Sequence, residues 1–278
     1  VMSFDDYIHF SAHVLEKLDG VPVNRYDNAA FVKTDGRMEY VGGDRASLAG
    51  VDVSSHQGTV DWAKVAADGI DFVIIRCGGR YYGSGKVFED KQFKSNIRGA
   101  LDAGLQVGVY FFSQATNQTE ALEEAQFVLD TIADYPVDGP VVFDWENIGT
   151  DSARTDGMTS AQVTAAANAF CGRIEAAGYQ PMIYFNQYIG YLLYDLDQVT
   201  QYPFWLAEYT DKPTFYYHFE MWQYTSSGSV DGITGKVDRN LWMPKEAPVR
   251  PDRPSQETEP GEDEEAMPPS QDISREQS

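Results

Sequence analysis

GLQVGVYFFSQATNQTEALEEAQFVLDTIADYPVDGPVVFDWEN, residues 104–147, decides the fold. Behind Gly104, residues 105–115 form an apolar run rich in Val, Tyr and Phe, the mark of a buried strand. Asn117 then opens a long segment, 117–135, with Glu in its first turn, which reads as a helix. PVVFDWEN, 140–147, is apolar again and reads as the next strand. The same alternation continues on both sides. Upstream, 49–55 reads as a strand, 60–69 as a helix stopped by Gly69, 70–79 as a strand and 90–104 as a helix ending at Gly104. Downstream come a helix at 159–178 and a fifth strand at 179–186, after which 202–209, 219–228 and 236–240 read as strands joined by loops. Alternation of this kind implies parallel pairing and right-handed crossovers. The apolar strands, and the lack of a G-x-G-x-x-G turn, fit a barrel better than an open nucleotide-binding sheet. GVDVSSHQG, 50–58, also lacks the Lys-Ser/Thr pair of a phosphate loop. The expected class is α/β, an irregular TIM-like (β/α)5(β)3 barrel over 48–243.

The two ends differ from this body. In residues 1–47, FDDYIHFSAHVLEKL (4–18) reads as one amphipathic helix with Tyr7, Val14 and Leu18 near a common face. AAFVKTDGRMEYVGG (29–43) reads as a hairpin around Asp35-Gly36, so 1–47 is expected to be an extension packed on the barrel. Residues 244–278 hold seven of the thirteen prolines and the acidic run GEDEEA, and read as a disordered tail or linker. The chain opens on Val1 with no basic-then-apolar leader, which reads as a processed form without a visible signal peptide.

A formal charge of −22 argues against nucleic acid as a partner. No apolar run reaches the roughly 18 residues of a membrane span. Cys77 and Cys171 lie far apart, read as buried free thiols and have no metal-like spacing. Seventeen Tyr and five Trp are a surplus that either fills the core or lines a site for flat or sugar ligands.

In a β/α barrel the site gathers at the strand C-termini. There this sequence places Asp52 on the first strand, Tyr110 and Phe112 on the third, Asp144 and Glu146 on the fourth, and Tyr184 and Asn186 on the fifth. The later strands offer Trp205, Tyr209, Trp222, Tyr224 and Asp238. Residues two apart share a strand face, so Asp144 and Glu146 both face the lumen while Trp145 points to the helices. Neighbouring carboxylates cannot both ionise cheaply: one is held protonated as a donor, and the other faces developing positive charge. Glycoside hydrolysis needs that division of labour. The bland reading, a solvated strand end, stands beside it. Arg76 either meets a carboxylate in the groove or forms an internal ion pair; His56 reads as a structural loop residue, and His9, His13 and His218 show no partner pattern.

GVDVSSHQGTVDWAKVAADGIDFVIIRCGGR, GLQVGVYFFSQA, EALEEAQFVLD, PVVFDWEN, AAGYQPMIYFN, FWLAEY and WQYTSSGSVDGITGKVDRN, taken in order over about 49–243, closely resemble glycoside hydrolase family 25, the Chalaropsis-type lysozymes. The resemblance implies cleavage of the β-1,4 bond between N-acetylmuramic acid and N-acetylglucosamine in peptidoglycan glycan strands. It implies Glu146 as general acid/base, Asp144 as its partner, Asp52 and Asp238 as supporting acids, and Tyr110, Tyr184, Trp205 and Tyr209 as groove aromatics. Trp222 and Arg76 join them as expected substrate contacts. No metal or organic cofactor is implied. Many members carry Tyr-His-Phe on the third strand where this chain has Tyr110-Phe111-Phe112; Phe111 is expected to point away from the groove. The expected protein is a monomer, extracellular or wall-associated. Two alternatives stay open: a non-catalytic peptidoglycan-binding barrel, and a glycosidase acting on another N-acetylated glycan. Ten acids and four bases in the tail leave −16 on the body, and an anionic wall repels such a body at low salt.

Overall fold

A computed structural model of the chain describes residues 6–44, 46–149 and 152–245. The expected tail beyond Lys245 lies outside the described residues. Eight strands close a barrel: β5 (Leu48–Val53), β6 (Phe72–Arg80), β8 (Gln106–Ser113), β9 (Val141–Trp145), β10 (Pro181–Asn186), β11 (Phe204–Ala207), β12 (Met221–Gly228) and β13 (Val237–Trp242). Neighbouring strands from β5 round to β12 pair in parallel. The last strand, β13, is antiparallel to both β12 and β5, so its start, not its end, lies at the mouth. A short strand, β7 (Val87–Glu89), hangs antiparallel on the end of β6.

Helices α1 (Trp62–Ala67), α2 (Phe93–Asp102), α3 (Gln118–Ile132), α4 (Ser160–Ala176) and α5 (Gln187–Leu192) follow the first five barrel strands in turn. Their ends are local. Asn117 accepts from the Glu120 N–H, Thr159 and Gln162 form a reciprocal capping box, and Gly69 and Gly104 close α1 and α2 at φ near +84°. Strand alternation divides the apolar residues between two cores. Phe72, Ile74, Val142, Met182, Trp205, Met221 and Trp242 fill the lumen. Val73, Ile75, Val109, Phe111, Phe143 and Trp145 face the other way, onto Ile97, Val128 and Phe170 of the helices. Each such burial contributes roughly 1.5–3 kcal/mol. Gly50 is dictated by this filling: a Cβ there would sit 2.2 Å from Cζ of Phe72.

The expected helix over 4–18 does not form. Its residues make a hairpin, β1 (Tyr7–Phe10) and β2 (His13–Glu16), turning at Ser11 with φ of +52°. Ile8 pairs across to Leu15, and both pack on the barrel's outer core, whereas Val14, meant for the helix's buried face, is 61% exposed. Docking on the barrel decides between two periods that a short apolar run cannot separate. The second hairpin is as expected: β3 (Phe31–Thr34) and β4 (Arg37–Tyr40) turn at Asp35-Gly36, with both residues at positive φ. Both hairpins lie along 213–224: Tyr217 Oη accepts from the Leu18 N–H, Tyr26 Oη donates to the Phe219 carbonyl, and Tyr224 Oη accepts from the Met38 N–H.

Candidate active site

Because β13 runs backwards, Asp238 near its start is the register partner of Asp52 near the end of β5. From the opposite wall, Asp144 is the penultimate residue of β9 and Glu146 lies just past the strand's end. These four acids, with Tyr110, Tyr184, Trp205, Tyr209 and Gln223, line a depression of about 190 Å³ at the mouth. A depression of about 550 Å³ around His218, Glu220 and Trp242 lies at the barrel's other end and gathers no comparable set of acids.

Two expected contacts fall elsewhere. Trp222 sits between the lumen-facing Met221 and Gln223 and so points outward. It is fully buried against Phe31, with ring centroids 5.1 Å apart, and its Nε1 donates to the Glu208 carbonyl. The lumen place belongs to Gln223, which sequence reading missed because the neighbouring aromatic drew the eye. Of its two readings, Arg76 takes the internal ion pair: Nε donates to Asp90 Oδ2 at 2.7 Å and Nη2 to Ser55 Oγ at 3.1 Å. Asn186 is spent on capping α5, where it accepts from the Ile189 N–H. Tyr224 lies on the outer face with Trp222.

Gln223 organises one wall. Its Nε2 donates to Asp52 Oδ2 at 2.7 Å, and its Oε1 accepts from Tyr184 Oη at 2.8 Å and Tyr209 Oη at 2.9 Å. Asn240 Nδ2 also donates to Asp52 Oδ2 at 2.8 Å, while Asn240 Oδ1 accepts from Trp205 Nε1. The other wall is leaner. Asp144 is 5% exposed and in hydrogen-bond contact with Glu146, and its Oδ1 is buried without a partner. Gln114, fully buried and also missed from sequence, donates through Nε2 to the Glu146 carbonyl at 2.9 Å and accepts from Thr155 Oγ1, which fixes the backbone that carries the acid.

All four acids hold protons above the usual carboxylate range. Burial lifts Asp144 most, followed by the adjacent Glu146 and by Asp52, with the Arg76 charge opposing. Burial also lifts Glu146, against the stabilising hydrogen bond from Asp144. Asp52 is raised by burial and then by Asp238, with the Asn240 and Gln223 amides pulling it back; Asp238 is raised by burial, against the bond from Asp52. Each pair is therefore built to share a proton, one carboxyl donating and the other accepting. Among the described residues, no group of three or more His, Cys, Asp or Glu is placed to hold a metal ion.

Raised carboxyl values carry a stability consequence. Between the ordinary carboxyl range and the raised value, the native state holds a proton that the unfolded chain has lost, so stability falls as pH rises through that window. Asp52→Asn keeps an amide oxygen for Gln223 and Asn240 and offers its NH₂ to Asp238. It is expected to raise Tm at pH 7 and above, by roughly 2–4 °C for each 1 kcal/mol gained, with the gain vanishing near pH 4. Thermal melts across pH check this; a lower Tm at pH 7 would contradict the proton sharing.

The model of the glycosyl hydrolases family 25 matches residues 51–233. The autolytic lysozyme of Clostridium acetobutylicum is 29% identical over 193 residues, 69% of this chain and 54% of that protein. This chain thus spans about half the length of that relative. Lysozyme M1 of Streptomyces globisporus is 26% identical over 210 residues, covering 71% and 68% of the two chains. Among solved structures, the modular autolysin LytC of Streptococcus pneumoniae superposes with a TM-score of 0.62 at 27% identity, over 86% of this chain and 58% of that one. With the family model spanning 51–233 and the acids converging at the mouth of this barrel, the chain belongs to glycoside hydrolase family 25.

Proposed function

We propose that the protein is a peptidoglycan hydrolase, an N-acetylmuramidase that cleaves the β-1,4 bond between N-acetylmuramic acid and N-acetylglucosamine. The observation that carries this reading is the placement of Asp144, on β9, and Glu146, just past its end, facing a second acid pair across an aromatic-lined mouth. The relatives add to it: two are named lysozymes, and LytC has been solved with a synthetic peptidoglycan ligand.

Glu146, the more open of the two, gives its proton to the glycosidic oxygen as the bond to the anomeric carbon breaks. Asp144 stands two residues before it, at the end of β9, and so approaches the sugar from nearly the same side as the acid. That is the wrong side for displacement. It is the right side for holding the 2-acetamido N–H while the acetamido oxygen closes on the anomeric carbon. Glu146, now ionised, then takes a proton from the water that opens this intermediate. Asp52 and Asp238 hold the facing wall negative opposite the developing oxocarbenium charge, with Tyr184 and Tyr209 set in place by Gln223. We place this chemistry on a monomer outside the cell, at the wall, with residues 6–44 as a packed extension of the catalytic barrel.

End-group analysis of digested peptidoglycan tests the reading. New reducing ends of muramic acid are expected. Glucosamine ends would make the enzyme a glucosaminidase, and no new ends would leave a wall-binding barrel.

A further inference from the structure

The mouth cavity of about 190 Å³ is small beside the ~300–1,000 Å³ of sites that enclose a whole ligand, so most of an extended glycan must lie on the surrounding rim. Among the described residues, four aromatic side chains are more than 36% exposed: Tyr81 (52%), Tyr82 (46%), Tyr188 (48%) and Tyr209 (59%). All four lie beyond the C-terminal ends of barrel strands. Tyr81 and Tyr82 follow β6, Tyr188 follows β10, and Tyr209 follows β11. The exposed Val and Leu side chains lie instead on residues 14–41 and, as Leu122, on α3. Among the described residues, strongly exposed aromatics are thus confined to the catalytic end.

Their places around the ring give them an axis. Counting neighbours, β6 and β11 stand four strands apart in either direction and so face each other across the mouth. The acids define a second axis, from β9 to β13 and β5, which also crosses the ring. A chain laid from Tyr81 and Tyr82 to Tyr188 and Tyr209 therefore passes between Asp144–Glu146 and Asp52–Asp238.

The β6 end is a built platform, not a loose loop. Arg80, 4% exposed, donates from Nε to Glu124 Oε1 at 2.7 Å and from Nη1 to the Gly85 carbonyl at 2.9 Å, which fixes the hairpin tip. The Tyr81 N–H donates to the Lys86 carbonyl, and the Arg154 N–H to the Tyr82 carbonyl. The Tyr81 ring stacks on Phe88 at 4.4 Å, and Phe88 lies under the Arg76 guanidinium that flanks the acid wall. A Tyr81 ring held on Phe88, beside a Tyr82 whose backbone is fixed, loses little entropy when it meets a ligand, and a neutral phenol face suits the apolar faces of a pyranose.

We infer that Tyr81 and Tyr82 form a distal glycan-binding platform, with Tyr188 at the opposite end of the same track, so that the protein engages a polymeric glycan strand across the full barrel mouth. This rests on the muramidase reading for the identity of the glycan. The consequence is a preference for long strands over fragments that fill the central groove alone.

The test compares kcat/KM on soluble, peptide-free glycan strands with kcat/KM on a tetrasaccharide of the same repeat. Tyr81→Ala/Tyr82→Ala is expected to lower the long-to-short ratio about tenfold, the loss expected from removing stacked rings. Tyr188→Ala lowers it in the same sense, and Tyr81→Phe/Tyr82→Phe, which keeps the ring faces, holds it. A ratio unchanged by the double alanine variant overturns the platform. If the wild type cleaves neither substrate, the muramidase reading fails by itself. The platform is then read from binding: affinity of the Glu146→Gln variant for the long strands, with and without the double alanine change. A loss of about tenfold supports it, and equal affinities refute it.

Discussion

Replacing Glu146 with Gln is expected to lower turnover of wall fragments by about 10²–10⁴-fold while glycan binding and fold are kept. The size follows from what is removed. Leaving-group protonation has no substitute in this mouth, because Asp144 lies deeper and the facing acids are taken up with each other and with the Gln223 and Asn240 amides. The fold is spared because Gln is isosteric and its amide oxygen can still accept the hydrogen bond from Asp144. One carboxylate fewer also lowers the electrostatic cost of the mouth, so Tm at neutral pH should rise or hold. Binding by equilibrium dialysis together with turnover measured from new reducing ends separates the two roles. Turnover within a few-fold of wild type would remove Glu146 from the chemistry and leave Asp144 as the only candidate donor on that wall.

Much of this architecture was legible from residue pattern, for a physical reason. Buried parallel strands read as continuous apolar runs, and the helices between them carry caps at Asn117 and Thr159 and stops at Gly69 and Gly104. The pleat then placed Asp144 and Glu146 on one face without further information. What stayed hidden depends on tertiary context. The reversal of β13, which brings Asp238 to Asp52, leaves no trace in a strand of this length. Trp222 and Gln223 are adjacent, and only the register of β12 says which of them faces the lumen. Gln114 gave a weaker signal: an amide directly behind a buried strand, whose partner is the Glu146 backbone and so has no residue signature. Residues 4–18 failed for a related reason: four-residue strands are too short for period two to outcompete period 3.6 on paper.

Asp144→Asn is the second large change, and it separates two ways of stabilising the anomeric carbon. If Asp144 orients the acetamido group, the variant should lose about 10²–10³-fold in kcat with little change in KM, since misplacing an internal nucleophile costs rate, not binding. Azide should then restore nothing, because the face opposite Glu146 was never occupied by this side chain. Asp144→Ala, which opens more room for a small anion, should be equally deaf to azide. The sharper discriminator is the substrate. With the N-acetyl group removed from the sugar that carries the anomeric carbon, wild-type turnover should fall by a similar factor, and Asp144→Asn should lose little more on that substrate than wild type does. Losses that fail to add are the signature of two groups acting as one device. Independent losses, or an azide-rescued variant releasing a glycosyl azide, would instead give Asp144 the role of direct nucleophile. The buried Oδ1 of Asp144, unpartnered beside Glu146, is where the two pictures differ: in one it receives an N–H from the substrate, in the other it meets carbon.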